Sequence, residues 1–345
     1  MKNTSLLWLL CILFVGCQDD SSDYEDLRLT MQVPSNFPAL AYDVSANPPT
    51  QKGFELGKKL FYDGRLASDG VVSCGFCHLQ EHAFTHHGHT LSHGVDNQIG
   101  LRNTPPIQNL AYQTQYMWDG ATAHLDLQPI IPLTSAVEMN GNLNSILTMM
   151  KGDPAYRKLF GQAFPDGGIT TENMLKAISQ FMVMAVSANS KFDKFRRNEL
   201  GGTMTQAEMQ GYELFNQKCA SCHATDLMTD NSFRNNGLAV NPLINDTGRY
   251  MVTGVAADKY KFKVPSLRNI EKTAPYMHDG RLGTLDAVLN HYSSGIVTSA
   301  TLDPVLQQNG TIGISLTAEE KSNLIAFLKT LTDNEYLTDT RFSEF

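Results

Sequence analysis

Cys74-Gly75-Phe76-Cys77-His78 and Cys219-Ala220-Ser221-Cys222-His223 are the two stretches whose reading decides the fold. A Cys-x-x-Cys-His run is the attachment pattern for c-type haem: two thiols add to the vinyl groups, and the adjacent histidine ligates iron from the proximal side. Other uses of paired cysteines fit less well. A zinc site would take two Cys-x-x-Cys pairs but needs no histidine directly after each. A thioredoxin-like dithiol needs one pair in a βαβ context, and disulfides between such near neighbours would be strained. The chain has six cysteines, of which the other two are Cys11 and Cys17, so none remains for a structural bridge. Two covalently bound haem c groups are expected, attached at Cys74, Cys77, Cys219 and Cys222 and ligated by His78 and His223.

Outside these motifs the composition is that of an ordinary folded chain. The 345 residues are 18 % charged and 42 % hydrophobic, which suits two domains, each with its own core. It excludes a collagen, a coiled coil or a disordered chain. With a formal net charge of −8 there is no basic stripe to neutralise phosphates, so nucleic acid is not an expected partner. After Lys2 comes an apolar run, Leu6 to Val15, too short for a bilayer but long enough for a signal-peptide core. Its end, Phe14-Val15-Gly16-Cys17, resembles a bacterial lipobox with phenylalanine where leucine is usual. Residues 1–17 are thus read as a lipoprotein signal peptide. Residues 18–50 are read as a tether and N-terminal extension, whose acidic run from Gln18 to Asp26 is expected to stay solvated. The protein is expected to be exported to the periplasmic side or outer membrane, touching the membrane only through a lipid anchor on Cys17.

A second repeat follows the haem motifs. Pro105, Asn109, Tyr116, Met117, Asp119, Gly120, Leu125 and Asp126 recur as Pro265, Asn269, Tyr276, Met277, Asp279, Gly280, Leu285 and Asp286, each 160 residues on. Upstream, Gly57-Lys58-Lys59-Leu60-Phe61 echoes Gly211-Tyr212-Glu213-Leu214-Phe215. Chance does not hold one offset over so many identities, so the chain contains two related haem modules. Thr205 and Glu208, and again Thr317 and Glu320, read as capping boxes opening helices. Met174, Ile178, Phe181 and Ala185 mark another helix. Long alternating stretches are absent. The expected fold is all-α: two cytochrome c-like haem domains related by internal duplication, 51–200 and 201–345, meeting at Gly201-Gly202.

The pattern resembles the bacterial dihaem cytochrome c peroxidase / MauG superfamily. The stretches that carry the resemblance run from Leu56 to Asp63, Arg102 to Pro105, Tyr116 to Gly120, Val264 to Asn269 and Ala274 to Arg281. The resemblance implies that the second haem's sixth ligand is Tyr292. Subtracting 160 gives Pro132, which has no side-chain donor atom, so the first haem is expected to be open to a small oxidant. It also implies a peroxide pocket of Gln128 and Glu138, near Pro132 and Met139. There the carboxylate would shuttle a proton between the peroxide oxygens while the amide orients the peroxide. Trp118, one of two tryptophans and replaced in the repeat by His278, is implied as an electron relay between the haems. A calcium ion is implied at Asn103 (side chain), Thr273 and Pro275 (carbonyls), hard oxygens that suit it.

The loop from Glu81 to Gly94 holds His82, His86, His87, His89 and His93. His93-Gly94 falls about where reductively activated relatives place a histidine that blocks the first haem at rest. The alternative is a set of solvated loop histidines. The leading expectation is a peroxidase that reduces hydrogen peroxide with electrons from a small cytochrome or similar donor. The alternatives are a MauG-like peroxide-dependent oxidase modifying a protein partner, which Tyr292 favours, or a non-catalytic electron-transfer cytochrome, which Pro132 argues against.

Overall fold

The computed structural model describes residues 23–308 and 310–344. The apolar run, Cys11 and the lipobox with Cys17 lie outside the described residues. No helix among those described is long and apolar enough to cross a membrane.

Short helices joined by long loops make up the described residues. The first half carries α1 (Gln51–Tyr62), α2 (Cys74–Cys77), α3 (Ile130–Thr134), α4 (Leu143–Gly152), α5 (Pro154–Ala163), α6 (Thr171–Val183) and α7 (Lys191–Arg196). Then come α8 (Gln206–Lys218), α9 (Tyr250–Thr253), α10 (Leu285–Asn290), α11 (Ala318–Lys329) and α12 (Asn334–Leu337). Among the described residues strands are limited to two-residue pairs, of which β1 (Phe233–Arg234) runs antiparallel to β2 (Phe262–Lys263). Both capping boxes form: Thr205 and Glu208 open α8, and Thr317 and Glu320 open α11.

Each module is built on one helix pair, α1 against α6 and α8 against α11. A glycine makes each contact close. A Cβ at Gly57 would lie 2.0 Å from the Ala177 carbonyl oxygen, and one at Gly211 would lie 1.9 Å from that of Asn323. These are the two glycines of the upstream echo, and they repeat because backbone must approach backbone there.

Packing departs from the expected domain limits in two places. Phe192 of α7, before the Gly201-Gly202 boundary, belongs to the second core with Phe215, Phe327 and Leu331. Tyr336, Leu337 and Phe342, at the far end of the second domain, belong to the first core with Phe61, Phe84 and Phe181. The Tyr62 hydroxyl donates to the Phe342 carbonyl at 2.6 Å. The termini of the modules are therefore exchanged, and each core needs chain from both.

Of the acidic run, Asp23, Tyr24 and Asp26 are exposed, and the N-terminal extension packs down from Glu25 onward. Glu25 pairs through its backbone N–H with the Gln162 carbonyl at 3.0 Å. Leu29, Met31, Phe37 and Leu40 pack on the first core. Asn36 donates to Asp226 at 2.8 Å, and Tyr42 to Asp126 at 2.8 Å. The described part of the tether is a strap over both modules, because apolar residues follow the acidic run closely enough to pull it down.

Candidate active site

The two haem motifs present the same chemistry. All four thiols are free. Burial pushes Cys74, Cys77 and Cys219 up to about 12, so they stand as neutral thiols. His78 Nδ1 lies 2.5 Å from the Phe84 carbonyl oxygen, and His223 Nδ1 lies 3.2 Å from those of Met228 and Pro265. A carbonyl accepts, so Nδ1–H must donate and the lone pair is left on Nε2. Burial also pulls His78 down to about 4 and lowers His223. A neutral imidazole oriented through its other nitrogen is the arrangement of a metal-ligating histidine, and it fits haem c at both motifs.

In the second module these residues open on a cavity with about 1580 Å³ of empty space, part of it open to solvent. Cys219, Cys222 and His223 share its lining with Tyr292, Met277 and Trp118. Tyr292 sits in a single π-turn, His291–Gly295, that continues α10; such wide turns recur at functional sites because they re-aim side chains. Burial pushes its phenol up to about 12, opposed by a hydrogen bond from Asn236. Of the rival ligands, His291 is turned to the Asn236 carbonyl, with Nε2 3.1 Å away. Met277 shares the cavity, its sulfur 3.3 Å from Asn236 Nδ2.

Around the first motif, Glu138 is close enough to act electrostatically on Cys74 and Cys77. Burial raises its carboxyl above the usual range, opposed by a Ser92 hydrogen bond. The Cys77 thiol donates to the His93 carbonyl at 3.4 Å, and the Glu138 carbonyl accepts from Val95 N–H at 2.8 Å. Between them, a Cβ at Gly94 would fall 2.4 Å from the Glu138 carbonyl oxygen, so only glycine lets this loop close there. The structure thus brings Cys77, Glu138 and His93-Gly94 together. Gln128 stands at the opposite end of α3, its Nε2 3.5 Å from the Met117 sulfur. Among the described residues no hydrogen bond joins Gln128 to Glu138.

The loop histidines are not simply solvated. His82 stacks on His87 with ring centres 3.8 Å apart, and His86 on His89 at 4.0 Å. His86 is only 7 % exposed; burial pulls it down to about 4. The His93 ring stands edge-on to His89 at 4.5 Å. Among the described residues no group of three or more His, Cys, Asp or Glu side chains is arranged to hold a metal ion.

Trp118 lies in the seam between modules. Its indole N–H donates to the Asn103 carbonyl at 2.8 Å, and its own carbonyl accepts from Lys263 N–H at 2.7 Å. It lines the second cavity, as do Asn103, Thr273 and Pro275. Arg102 clamps the seam, paired with Asp246 and Asp119, both at 2.6 Å. Lys263 and Asn236 were missed in the sequence; the 160-residue offset, which sets Asn103 against Lys263, was the signal that could have exposed the first.

Known proteins resemble the chain over both modules. Residues 51–200 match the family described as di-haem cytochrome c peroxidase, and residues 208–332 match cytochrome c. Methylamine utilization protein MauG of Methylorubrum extorquens is 35 % identical over 297 residues, 83 % of this chain and 80 % of that protein. Cytochrome c551 peroxidase of Nitrosomonas europaea is 33 % identical over 289 residues, 81 % of this chain and 80 % of that one. The solved structure of a MauG-like protein associated with microbial copper homeostasis has a TM-score of 0.82 at 34 % identity, over 92 % of this chain and 99 % of that one. The chain belongs to the di-haem cytochrome c peroxidase family, oxidoreductases that carry two covalently bound haem c groups.

Proposed function

We propose that this protein is a MauG-like oxidase that consumes hydrogen peroxide and draws electrons from a protein partner. The observation that carries it is Tyr292, set in the second cavity with His223, where Pro132 is its counterpart in the first module. Haem c, when attached, supplies the redox-active iron at both motifs, held by His78 and His223. Tyr292 would complete the second site: a phenolate oxygen favours oxidised iron, where a thioether would favour the reduced form. That suits a site that stores oxidising equivalents for a partner. Glu138, half-buried beside the first cysteine pair, would take a proton from the inner peroxide oxygen and return it to the outer one. Gln128 would orient the peroxide by hydrogen bonding, and Trp118 would pass electrons across the seam.

The second reading is a peroxidase supplied by a small cytochrome. It is favoured by the closeness of His93-Gly94 to Cys77 and Glu138, which suits a resting-state gate. Mixing the oxidised holoprotein with peroxide in the absence of a donor separates the two. The oxidase is expected to hold its oxidising equivalents long after peroxide is gone, and to turn over reduced cytochrome slowly. Immediate decay with rapid cytochrome turnover would favour the peroxidase.

Two further features join this reading. Asn103 commits its Nδ2 to the carbonyls of His89 and Thr90, 3.0 and 3.1 Å away, leaving Oδ1, with the Thr273 and Pro275 carbonyls, as the ligands proposed for calcium. Elemental analysis of the purified protein tests this. Export and lipidation at Cys17 are proposed from the N-terminal sequence, and labelled palmitate should be incorporated by the full chain but not by Cys17→Ser.

A further inference from the structure

Three cationic side chains, Lys218, Arg234 and Lys263, line the second cavity. Two already have carboxylate partners: Lys218 meets Glu320 at 2.9 Å, and Arg234 meets Asp230 at 2.8 Å and Asp303 at 3.0 Å. Lys263 has none among the described residues. Its ammonium donates to the side-chain oxygen of Gln113 and, at 3.0 Å, to the Gln115 carbonyl, both neutral. An ammonium has three donors, so one remains. A charge withdrawn from water is retained only where something pairs with it; burial alone already pulls Lys263 down to about 8.

The repeat shows that the seam itself does not require this charge. The counterpart of Lys263 in the first module is Asn103. The two backbones do the same work: Asn103 N–H donates to the His278 carbonyl and Lys263 N–H to the Trp118 carbonyl, both at 2.7 Å, and Trp118 and His278 are themselves counterparts. Only the side chains differ. Lys263 lines the same cavity as Cys219, Cys222 and His223.

We propose that Lys263 is the anion-binding residue of the second cavity and pairs with a propionate carboxylate of the haem attached at Cys219 and Cys222. The proposal rests on haem attachment at that motif and is independent of what the enzyme oxidises. The pairing fixes one positive charge beside the second haem and, through the Lys263 backbone, ties the haem's carboxylate edge to Trp118. A positive charge there favours reduced iron.

The test is spectroelectrochemical titration of the holoprotein, with wild type first shown to carry two haems by pyridine haemochrome; a single haem in wild type would defeat the underlying reading rather than this one. Lys263→Met is expected to shift the second haem's Fe(III)/Fe(II) equilibrium at least tenfold toward Fe(III), which is 59 mV for a one-electron couple. The first haem should move less than threefold. Lys263→Arg, which keeps the charge, is expected to stay within threefold of wild type at both haems. Should Lys263→Met fail to mature, Lys263→Gln is scored in the same way. Loss of the second haem in both neutral variants but not in Lys263→Arg also supports the pairing. An unmoved second potential in a neutral variant, equal shifts at both haems, or loss of the second haem in Lys263→Arg as well would overturn it.

Discussion

Asn109 in the first module and Asn269 in the second both hold a positive φ, 54° and 57°, and Met117 and Met277 do the same at 68° and 76°. Tyr116 and Tyr276 each start the same small bridge, accepted by Thr122 and Leu282 at 2.8 and 2.7 Å. Their hydroxyls both return to a carbonyl six residues earlier, that of Leu110 or Ile270. Against this shared backbone the side chains diverge: Pro132 against Tyr292, Trp118 against His278, Asn103 against Lys263 and Gln108 against Arg268. Duplication kept the frame that holds a haem and freed the positions around it. One copy then carries a half-buried carboxylate and no counterpart of the tyrosine, and the other carries a phenol and a lysine with no carboxylate partner among the described residues.

The widest separation between the modules should appear at Glu138. Glu138→Gln is expected to slow peroxide consumption by about two orders of magnitude or more, read by stopped-flow mixing with both haems intact. Because burial holds this carboxyl above its usual 4.5, the wild-type rate should fall with acid at a pH above that value, and the variant should lose that limb. Unchanged rates would return the proton shuttle to solvent.

Next comes the pair Gln108 and Arg268, counterparts that touch, with Gln108 Nε2 2.8 Å from the Arg268 carbonyl. Arg268 is fully buried and paired with Asp193, so Arg268→Met strands a buried carboxylate and should cost about 3–5 kcal/mol. Gln108→Met leaves neutral partners unsatisfied, at roughly 1–3 kcal/mol. Chemical denaturation of the holoproteins measures both, and equal losses would erase the asymmetry. Burial alone would raise Asp193, but the Arg268 charge and hydrogen bonds, with Ser190, outweigh it and hold the carboxyl below its usual 3.8. That stabilisation is complete above the unfolded value and is lost as pH falls through the lower folded one. Arg268→Met should therefore flatten the acid side of the stability curve.

Tyr292→Met tests the divergence at the second haem. Its potential should rise by roughly 0.1 V or more, within the roughly 0.8 V range that axial ligands span, and oxidising equivalents should no longer persist after peroxide. An unchanged spectrum and potential would remove Tyr292 as a ligand and restore the symmetry of the modules. The smallest effect is expected at the loop histidine. If His93 closes the first site at rest, His93→Gly should react with peroxide without prior reduction, at a rate changed by less than about tenfold otherwise; a parent protein that already does so needs no gate.

Much of this molecule is written locally. A haem attachment site lies within five consecutive residues, a capping box within four, and the duplication is visible as a constant offset, so the sequence by itself determined two haem modules and an all-α frame. It also marked Trp118, Pro132 and Tyr292 as positions where the copies differ. Only the tertiary structure decided that Tyr292 is aimed by a π-turn, that His86 is buried, that Phe192 and Phe342 exchange cores and that residues 25–42 strap the two modules. It alone left Lys263 lining a cavity with no carboxylate partner of its own among the described residues. The reason is physical: these outcomes depend on contacts between residues often more than a hundred positions apart, such as Asn36 with Asp226 or Tyr62 with Phe342. Burial and charge pairing at such distances are properties of the packed chain that no local pattern carries.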